Sequence, residues 1–393
     1  MPAMKFVQFA DVHLDSSIGG ALNLTDENKS ILRQDIRTAI NRARDLVIET
    51  KADIVLIPGD LFDYESMCAG TPSFLIDLFE SMGPTWVFIT PGNHDSLRPG
   101  NPFRLKQGTI WPENVHIFTF PEFETIIIPE LDCAVTGIAH AHRGITDRLL
   151  SRTIERSNCA INILLFHGSR DGYKPSGKES VIPFSDDELL AQAFTYTAIG
   201  HYHSFGSITD NNGRIRAAYS GCLQGRGLDE TGEKYVLVGE IGSDGNVVLK
   251  KKEVAPRRVM SVEVDVTGAT EDAIVMSRID AALASVNARE CDLININLSG
   301  YASALLNLDL SELESAGRYF HVNINRSRVE PDYDLESMQH ESAASSLKVE
   351  FVRRMLELQK QSADPAEQQI LRDAIYYGLY ALDGRKLEPR DAN

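Results

Sequence analysis

The chain has 393 residues, 43% hydrophobic and 24% charged, which suits a folded protein of two or three domains. No run approaches the roughly 20 apolar residues that cross a bilayer, and the first ten residues lack the apolar core of a secretory leader, so a cytoplasmic protein with no membrane role is expected. A formal net charge of -17 excludes a broadly basic surface, so a grip on a phosphate polymer would need bound cations or a partner.

In chain order, residues 5–10 read as a first strand, and 30–50 as a helix with Ile36, Ile40, Ala43 and Val47 on one face. Residues 52–57 form a buried strand leading into Pro58-Gly59-Asp60. A second helix opens at Thr71-Pro72, a cap followed by proline, and carries Phe74, Leu75, Leu78 and Phe79. Residues 86–90 are the third strand, 161–166 a continuous apolar strand, and 196–199 a strand running into Gly200. Between the last two, Ser185-Asp186-Asp187-Glu188 is a capping box. Further strand-like runs at 115–118, 125–128, 133–138, 208, 215–219 and 235–240 predict an α/β fold, two sheets sandwiched between helices.

The charged stretch from Lys250-Lys251-Lys252 to Arg257-Arg258 reads as a boundary. Residues 1–255 would then be the main domain, 256–331 a small α/β domain with a helix at 311–320, and 332–393 a helical segment. In that segment Leu347, Phe351, Met355 and Leu358 share one helix face, and Ile370, Ala374, Tyr377 and Ala381 another. Cys68, Cys133, Cys159, Cys222 and Cys291 show no Cys-x-x-Cys spacing and read as reduced side chains rather than a zinc ribbon or a disulfide framework.

The chemistry sits where five apolar runs stop: Asp11-Val12-His13, Gly59-Asp60, Gly92-Asn93-His94-Asp95, His167-Gly168 and Gly200-His201-Tyr202-His203. Buried strands of an open sheet present functional residues at their carboxyl ends, so five such strands side by side would gather these groups in one crevice. Phosphoester hydrolysis at neutral pH needs a strong nucleophile and charge compensation on the leaving oxygen, and two cations roughly 3.5–4 Å apart supply both. Asp60, isolated after a glycine, is placed to bridge them. The i, i+2 pairs Asp11/His13 and His201/His203 would each lie on one side of an extended segment. A set of Asp, Asn and His without thiolate favours manganese, iron or magnesium over structural zinc. His94 follows Asn93 directly and is better placed as the general acid that protonates the leaving oxygen.

In this order Asp-x-His, Gly-Asp-x-x-Asp, Gly-Asn-His-Asp, His-Gly and Gly-His-x-His resemble the calcineurin-like metallophosphoesterases. The segments FADVHLDS, IPGDLFD, TPGNHDS and AIGHYH are similar to the SbcD-type DNA repair exonucleases, on the bacterial YhaO-like branch. The resemblance covers residues 5–240. It implies that Asp11, His13, Asp60 and His203 hold one manganese and Asp60, Asn93, His167 and His201 the other, with Asp63 orienting His94. It also implies a DNA exonuclease, with endonuclease activity near ends or hairpins, that serves double-strand break repair. Such an enzyme works as a homodimer with an SbcC-like, SMC-type ATPase docked on the last two helices, while the small domain selects and bends DNA.

The protein phosphatases of the superfamily carry an arginine directly after the position of Asp63, whereas this chain has Tyr64, which argues against a phosphatase. The usual Pro-Gly-Ser turn appears as Ser220-Gly221-Cys222, and the glycine expected after Lys234 is Tyr235, so DNA contacts of that loop do not carry over. Arg170, Lys174 and Lys178 follow His167 in a loop that would hold DNA phosphates or simply be solvated. Gly225-Arg226-Gly227 reads as a turn. His140 and His142 read as surface positions or supports behind the ligands, and His116, His321 and His340 as histidines without a site role. Two other functions fit the same motifs: a phosphodiesterase or pyrophosphatase for small nucleotides, which suits the acidic charge better, and a non-catalytic scaffold for the ATPase.

Overall fold

The computed structural model describes residues 3–18, 24–104, 111–173, 179–303, 310, 313, 317–340 and 346–384. The chain divides into two units, Met1–Val259 and Met260–Asn393.

In the first unit, β1 (Met4–Gln8), β2 (Ile54–Pro58) and β3 (Trp86–Thr90) are short and almost wholly buried, as strands covered on both faces must be. They pair in parallel, with α1 (Asp26–Thr50) and α2 (Thr71–Glu80) as the crossovers. Thr25 caps α1 by accepting a hydrogen bond from the Asn28 N–H, and Asp26 and Glu27 suit the positive end of the helix dipole. Its buried stripe, Leu32, Ile36, Ala39, Ile40, Ala43 and Val47, recurs at helical spacing. β4 (Val115–Ile117) extends this sheet beyond β3. On the other side β11 (Tyr235–Ile241) pairs antiparallel with β1, and β12 (Val247–Glu253) with β11, giving the order β12-β11-β1-β2-β3-β4.

The second sheet contains β5 (Glu124–Ile128), β6 (Cys133–Gly137), β7 (Ile161–His167), β8 (Tyr196–Gly200), β9 (Gly206–Thr209) and β10 (Ile215–Tyr219), in the order β5-β6-β7-β8-β10-β9. Side chains alternate between its two faces. Val135, Ile163, Leu165, Tyr196 and Ala198 meet Phe6, Ile54, Leu56, Phe88 and Phe118 of the first sheet in the central core. Leu164, Phe166, Ile199 and Tyr219 face outward beneath Phe184, Leu189 and Phe194, where α3 (Asp186–Ala191) opens with the complete Ser185/Glu188 capping box. The expected two-sheet α/β sandwich flanked by helices is therefore the fold.

The lysine run expected at a domain boundary is instead part of β12, an edge strand of the first sheet. Lysines on an edge strand hinder pairing with another chain. Lys251 Nζ lies 4.9 Å from the ring centre of Phe205 and 4.7 Å from that of Tyr235, which holds its stem against the sheet.

The second unit has a sheet of β13 (Val259–Asp265), β14 (Leu293–Ser303) and β15 (His321–Asp332), with β14 and β15 parallel. α4 (Asp272–Ser285) covers it through Val275, Ile279 and Leu283. The helix expected over 311–320 falls largely outside the described residues. α5 (Leu335–His340), α6 (Leu347–Gln361) and α7 (Pro365–Leu382) pack around Val352, Ile375 and Leu379. The buried faces are thus turned from those the spacing suggested: Leu347, Leu358 and Ile370 are exposed, because Val349 and Val352 of α6 and Ile375 and Leu379 of α7 fill the interior.

Candidate metal centre

The five chemistry-bearing segments meet at one end of the sandwich, but they do not come from five adjacent strands. β1, β2 and β3 belong to the first sheet, and β7 and β8 to the second. Glycine allows the two strand ends to approach. A Cβ on Gly200 would lie 1.8 Å from the Pro58 carbonyl oxygen, and one on Gly59 would lie 2.6 Å from His167 Nδ1. Across this contact His167 Nδ1 donates to the Pro58 carbonyl at 3.0 Å, which turns Nε2 toward the site.

The i, i+2 pairs are not on extended backbone. Asp11 has φ 51°, His13 φ 50°, Asp60 φ 53° and His201 φ 117°, all in the left-handed region that side chains rarely adopt. The chain leaves each strand in a sharp turn instead, and the turns are held by His13 N–H to the Asp60 carbonyl at 3.0 Å and by His201 N–H to Asp11 Oδ1 at 3.0 Å. Strain repeated at four site residues and fixed by neighbouring backbone is typical of preorganised sites.

The turns point acceptor atoms at one another. His13 Nε2 is 3.2 Å from His203 Nε2, and His167 Nε2 is 3.3 Å from His201 Nδ1 and 2.9 Å from Asn93 Oδ1. Asp60 Oδ1 accepts the His94 N–H at 2.9 Å. Asp60 Oδ2 is fully buried with no hydrogen-bond partner among the described residues, 3.4 Å from His167 Nε2 and 3.7 Å from His13 Nε2. A buried carboxylate oxygen left unmatched among imidazole nitrogens is costly unless a cation completes the set. Two groups with metal-ligand spacing, Asp11/His13/His203 and Asp11/Asp60/His167, overlap at this point. Burial, with Arg226 nearby, drives the His13 pKa down to about 3, and burial drives that of His167 well below its usual value. Both rings are therefore neutral and offer lone pairs, the state a metal ligand requires. Burial opposes charge on Asp60, but the imidazoles of His167, His13 and His94 around it, with the His94 N–H that it accepts, hold its pKa well below the usual carboxylate range. The donor set fits a pair of divalent ions sharing Asp60.

Asp63 Oδ1 lies 3.1 Å from His94 Nδ1 and 2.7 Å from His13 Nδ1. Burial disfavours charge on His94, but the hydrogen bond to Asp63 and the charges of Asp60 and Asp63 outweigh it and raise its pKa. The ring is 30% exposed, unlike that of His13 or His167. With Nδ1 engaged by Asp63, Nε2 remains to deliver a proton.

Other residues brace the ligands from behind: Asp95 belongs to the Gly-Asn-His-Asp motif and His140 reads in sequence as a surface position or a support, whereas Glu230 carries no sequence signal beyond residue type. Asp95 accepts the backbone N–H groups of Gly92 at 2.6 Å, Leu61 at 2.7 Å and Asp60 at 3.3 Å, which ties the β2 and β3 turns together. Burial and the charge of Asp60 push its pKa up to about 7 even so. Glu230 receives His203 Nδ1 at 2.5 Å and pairs with Arg226, so the segment 225–227 is more than a turn. His140 is buried, not at the surface, and its Nε2 donates to the His167 carbonyl at 2.9 Å, whereas His142 is exposed.

Arg170, in the loop read as either phosphate-holding or solvated, pairs its guanidinium with Asp186, with Nε to Oδ1 at 2.6 Å and Nη2 to Oδ2 at 2.5 Å. This pair ties the loop after β7 to the start of α3. Lys174 and Lys178 lie outside the described residues. Tyr64 donates its hydroxyl to the Pro99 carbonyl at 2.8 Å.

The family profile of calcineurin-like phosphoesterases matches residues 4–205. The chain is 28% identical over 241 residues to YhaO of Bacillus subtilis (strain 168), described as an uncharacterized metallophosphoesterase, a match that covers 60% of this chain and 57% of that protein. The chain thus spans less than two thirds of that relative. Among solved structures, a dimetal phosphatase from Danio rerio matches at 12% identity and TM-score 0.38, over 64% of this chain and 97% of its own. The protein TT1561 of Thermus thermophilus matches at 12% identity and TM-score 0.37, over 64% and 99%. Among the described residues no helix is long and apolar enough to cross a membrane.

Proposed function

The chain belongs to the calcineurin-like phosphoesterase family, hydrolases of phosphoester bonds with a dinuclear divalent metal centre, and from that premise we propose a manganese-dependent DNA exonuclease of the SbcD type. The observation that carries the reading is the unmatched, fully buried Asp60 Oδ2 between His13 and His167, in a site whose proton donor His94 stays accessible. Asp11, His13, Asp60 and His203 would hold one ion, and Asp60, Asn93, His167 and His201 the other. When bound, the pair supplies a strong nucleophile at neutral pH and offsets charge on the phosphoryl oxygens. The phosphorus–oxygen bond to the leaving group breaks, and His94 Nε2 gives that oxygen its proton while Asp63 holds the ring at Nδ1. Oxygen and imidazole donors without thiolate favour manganese, with iron or magnesium next.

A phosphodiester substrate is favoured by Tyr64, which fills the position after Asp63 with a hydroxyl tied to Pro99 rather than with a cation for a monoester dianion. DNA in particular rests on the likeness of the four motif segments to SbcD-type enzymes. The net charge of -17 then calls for a partner, and an SMC-type ATPase seated on the exposed Leu347, Leu358 and Ile370, with the nuclease as a homodimer, would supply the DNA grip. Purified protein with Mn(II), alone and with such an ATPase, should shorten linear duplex DNA, and Asp60→Ala should abolish this. Intact DNA under every condition would refute the assignment.

The acidic surface also favours a second reading, a phosphodiesterase or pyrophosphatase for small nucleotides. That enzyme would hydrolyse cyclic or dinucleotide substrates while leaving DNA intact.

A further inference from the structure

His203 is held from both edges of its ring. Nε2 faces His13 across 3.2 Å, and Nδ1 lies 2.5 Å from Glu230 Oε1. Around the Nδ1 edge, His203, Cys222 and Glu230 have the spacing of a metal site in their own right. That place is already filled. Arg226 Nη2 lies 2.6 Å from Glu230 Oε1 and 3.3 Å from His203 Nδ1, and Arg226 Nε lies 3.3 Å from Glu230 Oε2. A divalent ion there would have to displace a fixed guanidinium charge, so the trio is a hydrogen-bonded support and not a third metal site.

The backbone builds this support locally. Glu230 N–H donates to the Gly227 carbonyl at 3.1 Å, and Arg226 N–H donates to Glu230 Oε2 at 2.8 Å, closing a turn that lays Arg226 over Glu230. Gly225 permits it, since a Cβ there would lie 2.7 Å from the Glu230 carbonyl oxygen and 2.7 Å from Val259 Cγ2. Cys222 adds a thiol donating to the His203 carbonyl at 3.5 Å, and Lys234 Nζ donates to the same oxygen at 3.3 Å. Backbone and ring of His203 are thus both fixed.

We propose that Glu230, charge-balanced by Arg226, is the positioning residue of the first metal site. It accepts the Nδ1 proton of His203, keeps the lone pair on Nε2 and holds the ring plane toward His13. A carboxylate behind a ligating imidazole fixes its tautomer and raises its basicity. The 7% exposed Glu230 side chain would be a costly lone charge, and Arg226 removes that cost without competing for the Nδ1 proton. Both residues act through His203. The inference rests on the dinuclear reading above and is independent of whether the substrate is DNA.

The test is Mn(II) binding by the full chain, followed by calorimetry and by the electron paramagnetic resonance of free and bound ion. Wild type should bind two ions. Glu230→Ala should weaken one of them by about 10–100-fold and leave the other at wild-type affinity, while Glu230→Gln, which keeps an acceptor oxygen, should recover part of the loss. Circular dichroism identifies a variant that fails to fold, and in that case Glu230→Gln alone decides, with loss at one ion expected. Nitrogen NMR of the metal-free histidines should show His203 protonated at Nδ1 in wild type and a mixture of tautomers in the variant. Two ions bound at wild-type affinity by folded Glu230→Ala or Glu230→Gln, or equal weakening of both ions, would overturn the proposal alone. A wild-type protein that binds no Mn(II) would overturn the dinuclear reading and this one with it.

Discussion

Asp63 and His13 are joined Oδ1 to Nδ1 at 2.7 Å, and the same oxygen lies 3.1 Å from His94 Nδ1. One carboxylate oxygen therefore restrains both a metal-facing imidazole and the proton donor. The consequence is a coupling between metal occupancy and acid catalysis that neither histidine would show alone.

Asp63→Asn should damage two properties at once. The kcat for a phosphodiester should fall about 10–100-fold, and the Mn(II) concentration for half-maximal rate should rise, since His13 loses its carboxylate support. His94→Gln should lower kcat without moving the Mn(II) dependence. Rate against Mn(II) for the two variants separates these outcomes, and an unchanged metal requirement in Asp63→Asn would show that Asp63 serves His94 only.

The role of His94 as proton donor predicts a dependence on the leaving group. A DNA alkoxide needs protonation, so His94→Gln should cost about 10²–10⁴-fold on DNA. p-Nitrophenolate leaves unaided, so bis-p-nitrophenyl phosphate should lose much less. Equal losses on both substrates would assign His94 to binding rather than to proton transfer.

Gly200→Ala tests the approach of the two sheets. The added methyl would meet the Pro58 carbonyl oxygen at 1.8 Å, a backbone atom that cannot swing aside. The variant should lose about 2–3 kcal/mol in urea unfolding and part of its Mn(II) affinity, because β2 and β8 must separate beneath Asp60 and His201. The equivalent change at Gly144, where a Cβ would meet nothing within 4 Å and the backbone is not left-handed, serves as a comparison for the backbone penalty alone.

Stability in acid should depend on Glu188. Arg148, together with the Ser185 N–H, holds its pKa down from 4.5 to about 2. A carboxylate with a depressed folded-state pKa contributes stability that is complete above its ordinary pKa and is lost as pH falls through the folded value. Between about 4.5 and 2 the wild type should therefore lose more thermal stability than Glu188→Gln. Parallel melting curves over that range would show that the exposed pair with Arg148 contributes nothing.

Much of the site was legible because ligand chemistry depends on residue type at the end of a buried run. Asp11, His13, Asp60, Asn93, His167, His201 and His203 announce themselves in that way, and they converge. What periodicity could not show was backbone hand. The left-handed turns at Asp11, His13 and Asp60 are held by the Gly59 carbonyl, the Asp60 carbonyl and the Asp95 carboxylate in turn, each distant in sequence from the residue it holds. Glu230 stands 27 positions from His203, in a stretch of mixed charge with no spacing that points to a ligand. The lysines of β12 read as a linker because edge strands tolerate the composition of linkers. In α6 and α7, apolar residues occur on more than one face, so spacing alone could not choose Val352 and Ile375 over Leu347 and Ile370 for the interior.

Asp60 would be the ligand common to both ions, with His13 and His203 holding one and His167 and His201 the other. Crystals grown with Mn(II) and measured at the manganese absorption edge should show two anomalous peaks roughly 3.5–4 Å apart, one beside His13 and His203 and the other beside His167 and His201. A single peak, or none within coordination distance of Asp60, would contradict it.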